Sequence, residues 1–133
     1  MPRRRSPRMK AVILVVEAGA DDRRILSRIL ASADYRAITA ESAEAARLLI
    51  KTSPPDAALV ERDLPGTGGI EFARELRHDA KTSRLPLLLL SVDARPQAQI
   101  QALREGAVNA YLIKPIDPQE LLARLAALLA KRR

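Results

Sequence analysis

Carboxylates, a hydroxyl and an ammonium stand at the places in this sequence where short apolar runs end. Glu17 follows AVILVV, Glu61 and Asp63 follow AALV, Ser91 follows LLLL, and Lys114 follows NAYLI. Carboxylate oxygens are ligands for hard cations such as Mg²⁺, and ammonium or hydroxyl groups bind phosphoryl oxygens. These residue types therefore suit phosphate or metal chemistry, provided that the fold brings them together.

Short apolar runs alternate with amphipathic stretches five times along the chain, and this predicts the elements that position these side chains. Strands are predicted over 11–16, 35–39, 57–60, 86–91 and 109–113, and helices over 21–32, 42–51, 69–78, 96–105 and 118–131. Three of the strand candidates are apolar with almost no alternation, which is typical of a parallel sheet covered on both faces. The last helix begins at a capping sequence, Asp117-Pro118-Gln119-Glu120.

The alternation predicts an α/β fold, a (βα)5 doubly wound five-stranded parallel sheet with right-handed crossovers. In such sheets, functional groups collect at the carboxyl ends of the strands near the topological switch point. The side chains that follow the strands are therefore expected at one edge of the sheet.

Composition excludes several classes of protein. The 133 residues suit one domain, and 47% of them are hydrophobic, enough for a sizeable core. The absence of cysteine excludes disulfides, Cys-ligated zinc and a thiol nucleophile. No apolar run approaches the roughly 20 residues of a membrane span. The run 11–16 is too short for an export signal, so we expect a cytoplasmic protein without membrane contact.

The positive charge lies at the two ends of the chain. The net charge is +7, with five basic groups in a tail over 1–10 and three at the end over 131–133. The domain predicted between them, 11–130, is nearly neutral, with 15 basic and 16 acidic groups. Basic tails can bind nucleic acid. Here no aromatic residue is interleaved with the arginines to stack on bases, which disfavours that alternative.

Five short motifs, in order, resemble the receiver domain of bacterial two-component response regulators over residues 11 to 130. They are ILVVE at 13–17, PDAALVE at 55–61, LPGTGG at 64–69, LLS at 89–91, and GA at 106–107 followed by YLIKP at 111–115. The resemblance implies the flavodoxin-like strand order 2-1-3-4-5. It also implies a site at which an aspartate accepts a phosphoryl group from a histidine kinase.

The resemblance places an unusual residue at the acceptor position. The family's aspartate lies four residues before a loop proline, and counting back from Pro65 gives Glu61. Asp63 takes a loop position that mainly supplies a backbone carbonyl to the metal. Glu17 matches the first member of the family's acidic pair, and Ala18 replaces the second. Because Glu is about 1.5 Å longer than Asp and a metal ligand is missing, we expect an atypical pseudo-receiver with Mg²⁺ weak at best and no other cofactor.

The positions that respond to phosphorylation in the family are better preserved. Ser91 matches the hydroxyl that bonds the phosphoryl group, Tyr111 the aromatic whose rotamer follows it, and Lys114 the lysine that contacts the acceptor. The resemblance also implies a cis bond between Lys114 and Pro115. We hypothesise a standing Glu61–Lys114 contact that partly mimics the phosphorylated arrangement. The alternatives are a passive substitution at position 61 and a half-buried Tyr111 with its hydroxyl in water.

These observations predict a single-domain, non-enzymatic signalling module that docks on a histidine kinase or a downstream effector. The resemblance places the partner-binding face over 96–131, which could also form a homodimer. One alternative is a working receiver with phosphate on Glu61 or Asp63. The other is nucleic-acid binding through the basic ends, which would show a steep dependence on salt.

Overall fold

A computed structural model describes residues 10–132, in which five strands alternate with five helices. The strands are β1 (Val12–Val16), β2 (Arg36–Ala40), β3 (Ala57–Glu61), β4 (Leu87–Ser91) and β5 (Ala110–Ile113). The helices are α1 (Ala20–Ser32), α2 (Ala43–Thr52), α3 (Gly69–His78), α4 (Pro96–Glu105) and α5 (Pro118–Lys131). The predicted elements are all present, with ends that differ by no more than one residue.

All strand pairs in the sheet are parallel, and the order is β2-β1-β3-β4-β5, as predicted. The strand predicted over 57–60 is one residue longer in the structure, because Glu61 pairs with Leu90 in the ladder. Glu61 is therefore the last residue of β3, and Ser91 is the last residue of β4, where it pairs with Ile113.

The sheet separates two apolar layers, which explains why β3 and β4 show no alternation in sequence. Alternate residues of each strand point to opposite faces. On one face, Phe72 and Leu76 of α3 pack with residues of α2 and α4, and on the other, Leu26 of α1 packs with Leu121 and Leu125 of α5. The prediction of a sheet covered on both faces is confirmed.

The connections that follow β3 and β5 are tightly defined. Gly69 begins α3 so close to the end of β3 that an added Cβ would lie 2.3 Å from the Glu61 carbonyl oxygen. The Lys114–Pro115 peptide bond is cis, as expected. The predicted cap of α5 is also present, because the Asp117 side chain accepts a hydrogen bond from the Gln119 backbone N–H at 3.0 Å. These connections fix the backbone at the carboxyl edge of the sheet.

In the described part of the chain, no helix is both long and apolar enough to cross a membrane. Residues 1–9 and 133 lie outside the described residues, and with them most of the basic tail and the last residue of the basic end.

Candidate functional site

Three carboxylates surround one ammonium at the carboxyl edge of the sheet. Lys114 Nζ lies 2.5 Å from Glu61 Oε1, 2.9 Å from Glu17 Oε2 and 3.3 Å from Asp22 Oδ2. The side chains of Glu17, Glu61 and Lys114 are only 4%, 12% and 16% exposed. The fold thus brings together three side chains that follow or end β1, β3 and β5, and it contains the Glu61–Lys114 contact expected from the sequence.

The second oxygen of Glu61 is also bonded. Its Oε2 accepts a hydrogen bond from the Asp63 backbone N–H at 3.1 Å. Asp63 is exposed, and it contacts Glu61 through its backbone N–H rather than through its carboxylate. Both oxygens of the Glu61 carboxylate therefore have protein partners, one a cation and the other an amide.

Burial and charge act in opposite directions on Lys114. Burial alone would lower the pKa of its ammonium, but hydrogen bonds to Glu61 and Glu17, with their negative charges, outweigh that effect and raise the pKa. The pKa of Glu17 is raised too, chiefly by burial, with the charge of Glu61 adding to the effect and the hydrogen bond from Lys114 opposing it. One ammonium is thus shared by carboxylates that repel each other.

The residues at this edge do not fit a magnesium ion. The Ala18 side chain has no oxygen, and the backbone carbonyls of Glu17 and Ala18 accept hydrogen bonds from Arg23 Nη1 at 2.7 and 2.8 Å. The carboxylate oxygens of Glu17 and Glu61 nearest the centre face the Lys114 ammonium instead. Mg²⁺ needs near-ideal octahedral oxygen coordination. Within residues 10–132, no group of three acidic or histidine side chains has an arrangement that could hold a metal ion.

Ser91 and Tyr111 are both bonded to the backbone of Asp93. The buried Ser91 Oγ accepts from the Asp93 N–H at 3.0 Å, and the Tyr111 hydroxyl donates to the Asp93 carbonyl at 2.7 Å. Tyr111 is 9% exposed, with its ring in the core layer beneath α4, and its hydroxyl also accepts from Arg62 Nη1 at 3.3 Å. The alternative of a half-buried Tyr111 with its hydroxyl in water is therefore wrong, because the residue is buried and its hydroxyl bonds protein groups.

Sequence reasoning missed three residues of this region: Asp22, Arg62 and Asp93. Asp22 lies in the first turn of α1, where a carboxylate favours the start of a helix, and it also reaches Lys114. Arg62 and Asp93 follow β3 and β4 closely. Their positions after strand ends are the signal that could have pointed to them.

A largely apolar groove of about 390 Å³ opens beside the ammonium. Its lining residues are Glu17, Asp22, Ile25, Leu26, Val92, Lys114, Pro115 and Ile116. Ile25 and Val92 are more than half exposed along this groove. The charged centre is therefore next to apolar surface that is open to a partner molecule.

The fold and the site geometry agree with what comparison with known proteins finds. The family model for the response regulator receiver domain matches residues 13–126. The chain belongs to the response regulator receiver family.

Individual relatives differ in length. The phosphate regulon transcriptional regulatory protein PhoB of Pseudomonas aeruginosa is 38% identical over 119 residues, 90% of this chain but 52% of that protein. The chain thus spans about half the length of the PhoB proteins it matches. Protein PilH of the same organism is 29% identical over 120 residues, 90% of this chain and 98% of PilH.

The fold is close to those of solved structures. The crystal structure of a chain described as a response regulator from Chloroflexus aurantiacus J-10-fl superposes with a TM-score of 0.87. It is 33% identical to this chain, and the superposition covers 92% of this chain and 99% of the other.

Proposed function

We propose that this chain is a receiver domain that signals by docking on a partner protein and is not controlled by aspartyl phosphorylation. The observation that carries the proposal is the contact of Lys114 Nζ with Glu61 at the acceptor position, at 2.5 Å. In the receiver family, the matching lysine contacts the phosphorylated aspartate. Here the Lys114 ammonium already contacts Glu61 without a phosphoryl group.

The bonding of Glu61 opposes phosphoryl transfer. A carboxylate that attacks phosphorus needs an oxygen in line with the leaving group, and the charge that develops must be neutralised by a cation. One oxygen of Glu61 is held by Lys114 and the other by the Asp63 N–H. Ala18 leaves the edge without the second acidic side chain, so we infer that Mg²⁺ binds weakly at best and that no other cofactor is needed.

The proposed docking surface is the face formed by α4, β5 and α5, over residues 96–131. It displays exposed apolar side chains at Ile100, Leu103 and Ile113. Its partner would be a histidine kinase, a downstream effector or a second copy of the chain, and the module would act in the cytoplasm without catalysing a reaction of its own. PilH, of nearly the same length as the aligned region, shows that a curated relative need not be longer.

A phosphorylatable receiver is the second candidate, and a specific observation favours it. Ser91, Tyr111 and Lys114 retain the residue types of a working receiver. The similarity to PhoB extends across the whole domain.

Intact-protein mass spectrometry after incubation with Mg²⁺ and acetyl phosphate separates the two candidates. We expect no phosphoryl adduct on the wild type or on Asp63→Asn. A repaired variant, Ala18→Asp with Glu61→Asp, supplies the matched control. It should bind Mg²⁺ in a titration and take up a phosphoryl group, which would show that the donor and conditions are competent.

The outcomes are distinct. An adduct on the wild type that disappears in Asp63→Asn would overturn the proposal and make Asp63 the acceptor. An adduct that disappears in Glu61→Gln would instead identify a phosphorylated glutamate. A repaired variant that is folded but neither binds Mg²⁺ nor reacts would refute the assignment of positions 18 and 61.

A further inference from the structure

A second set of contacts links the end of β3 to helix α4, and it does not involve Lys114. Arg62 Nη2 donates to Gln101 Oε1 on α4 at 2.7 Å, and Arg62 Nη1 donates to the Tyr111 hydroxyl at 3.3 Å. The same Nη1 lies 3.8 Å from Asp93 Oδ2. One guanidinium thus contacts α4, β5 and the loop after β4.

We propose that Arg62 is a positioning residue that holds the Tyr111 ring and helix α4 in one arrangement. Its guanidinium is suited to this because it is planar and presents several N–H donors in a fixed fork, so that two acceptors can be bonded at once. The Arg62 side chain is 16% exposed, and its contacts are accordingly less weakened by water than those of a surface arginine.

The backbone of Arg62 is itself fixed. Its N–H donates to the Leu90 carbonyl at 2.8 Å, and its carbonyl accepts from the Gly69 N–H at 2.9 Å. The residue is therefore anchored to β4 on one side and to the start of α3 on the other. A side chain that extends from such an anchor can resist movement of the groups that it bonds.

The Tyr111 hydroxyl takes part in a directed chain of hydrogen bonds. It accepts from Arg62 and donates to the Asp93 carbonyl at 2.7 Å. Because a hydroxyl that accepts from a cation becomes a better donor, the two bonds strengthen each other. An outward rotation of the ring would break both bonds and expose the ring, which now lies in the same buried apolar cluster as Ala102 of α4 and Leu89, its register partner on β4.

This role adds to the proposed docking function, because it assigns to Arg62 the task of fixing the shape of the α4, β5 and α5 face. It also stands apart from the chemistry of Glu61, since Arg62, Tyr111 and Gln101 make the contacts in the protein as it is. A failure of this inference and a failure of the proposed function are therefore distinguishable. The first is tested without any phosphoryl donor, and the second requires one.

The test compares Arg62→Met with a matched arginine variant, Arg95→Met. Methionine keeps most of the length and removes the donors. The Arg95 side chain donates hydrogen bonds to the Asp93 carboxylate at 2.8 and 2.9 Å, it is 72% exposed, and these bonds go to Asp93 rather than to Tyr111 or Gln101. Amide hydrogen exchange of α4, with α1 as internal reference, and the NMR ring signals of Tyr111 in a Tyr35→Phe background are measured for each.

Arg62→Met should speed exchange in α4 by about tenfold relative to α1, as the loss of one or two net hydrogen bonds implies, and should shift or broaden the Tyr111 ring signals. Arg95→Met should leave the Tyr111 ring signals unchanged. Unchanged α4 exchange and ring signals in Arg62→Met would overturn the inference, as would equal effects of the two arginine variants.

A double-mutant cycle tests the role of the hydroxyl itself. Tyr111→Phe keeps the ring and removes the group that Arg62 bonds. If Arg62 acts through this hydroxyl, the Arg62→Met effect on α4 exchange should be smaller in the Tyr111→Phe background than in the wild type. Fully additive effects of the two substitutions would contradict the inference, because they would mean that Arg62 and Tyr111 act on α4 independently.

Discussion

Replacing the shared ammonium is the most direct test of the charged centre. Lys114→Met removes the cation while retaining much of the apolar stem. It leaves Glu17 and Glu61 beside each other with side chains that are almost buried. The substitution therefore measures how much the charge contributes to the free energy of unfolding, separately from the contribution of the surrounding packing.

The structure sets the size of the expected effect. Removing one partner of a buried ion pair costs about 3–5 kcal/mol, because the other charge is left uncompensated. Lys114 retains some solvent access, and Asp22, at 3.3 Å, is half exposed and contributes little. We therefore expect the free energy of unfolding at neutral pH to fall by about 2–4 kcal/mol.

The loss should become smaller in acid. The pKa of Glu17 is already raised, and without the Lys114 hydrogen bond it rises further. Because its pKa is higher in the folded state than the ordinary value of 4.5, Glu17 takes up a proton in the folded protein first as the pH falls. The free energy of unfolding therefore rises as the pH falls from the folded pKa to 4.5. The raised pKa of Lys114 adds stability that is complete below 10.5 and is lost only above it. Titration of Lys114 itself should thus add no pH dependence between pH 5 and 8.

Urea unfolding followed by circular dichroism at several pH values measures these quantities, with the exposed Lys81→Met as control. The double variant Lys114→Met with Glu61→Gln should lose less stability than Lys114→Met alone, since one of the two uncompensated charges is gone. Equal losses of stability in Lys114→Met and Lys81→Met at every pH would show that Lys114 does not compensate the charge of Glu17 and Glu61.

Two further substitutions test local features. Glu17→Gln should leave the free energy of unfolding at pH 7.5 unchanged or raise it by up to about 1 kcal/mol, because the raised pKa of Glu17 means that the folded state favours the neutral form. The substitution should also flatten the pH dependence of the free energy of unfolding above pH 4.5. A loss above about 2 kcal/mol in urea titrations would contradict this reasoning. Gly69→Ala should lower stability by about 1–3 kcal/mol in thermal unfolding, since its Cβ would lie 2.3 Å from the Glu61 carbonyl oxygen, whereas Gly68→Ala, whose Cβ would meet nothing nearer than 3.7 Å, should cost less.

The fold was predictable because each element carries a local signal of its own. The continuous apolar sequence at 87–90 is explained by a strand whose side chains are buried on both faces. The start of α5 follows from the Asp117 cap and the proline beside it. Several predicted ends are off by one residue, and the one that bears on the site is the end of β3, where the ladder continues through Glu61 although a charged residue gives no strand signal.

The site was predictable only in part. The carboxyl ends of parallel strands must meet at one edge, so the approach of Glu17, Glu61 and Lys114 follows from topology. Contacts to backbone carbonyls have no such signal, because every residue has a carbonyl. Arg77 shows this most clearly: its guanidinium donates to the carbonyls of Leu85 at 2.7 Å and Ala107 at 3.0 Å, and nothing in the sequence marks those two acceptors.

If Ala18 and Glu61 stand at the metal-ligand and acceptor positions that we propose for them, the two residues are complementary in terms of charge. A carboxylate at position 18 would add a further negative charge beside Glu17, at an edge where one ammonium already serves three acidic side chains. Such a set would need a divalent cation. Without that carboxylate, the Lys114 ammonium can contact the acidic side chains that remain, provided that the carboxylate from β3 is long enough to reach it. Glu61 reaches it at 2.5 Å. On the proposed assignment, the lost carboxylate at position 18 and the longer side chain at position 61 thus lead to the same result, an edge where the protein's own cation partly offsets the charge of the surrounding carboxylates.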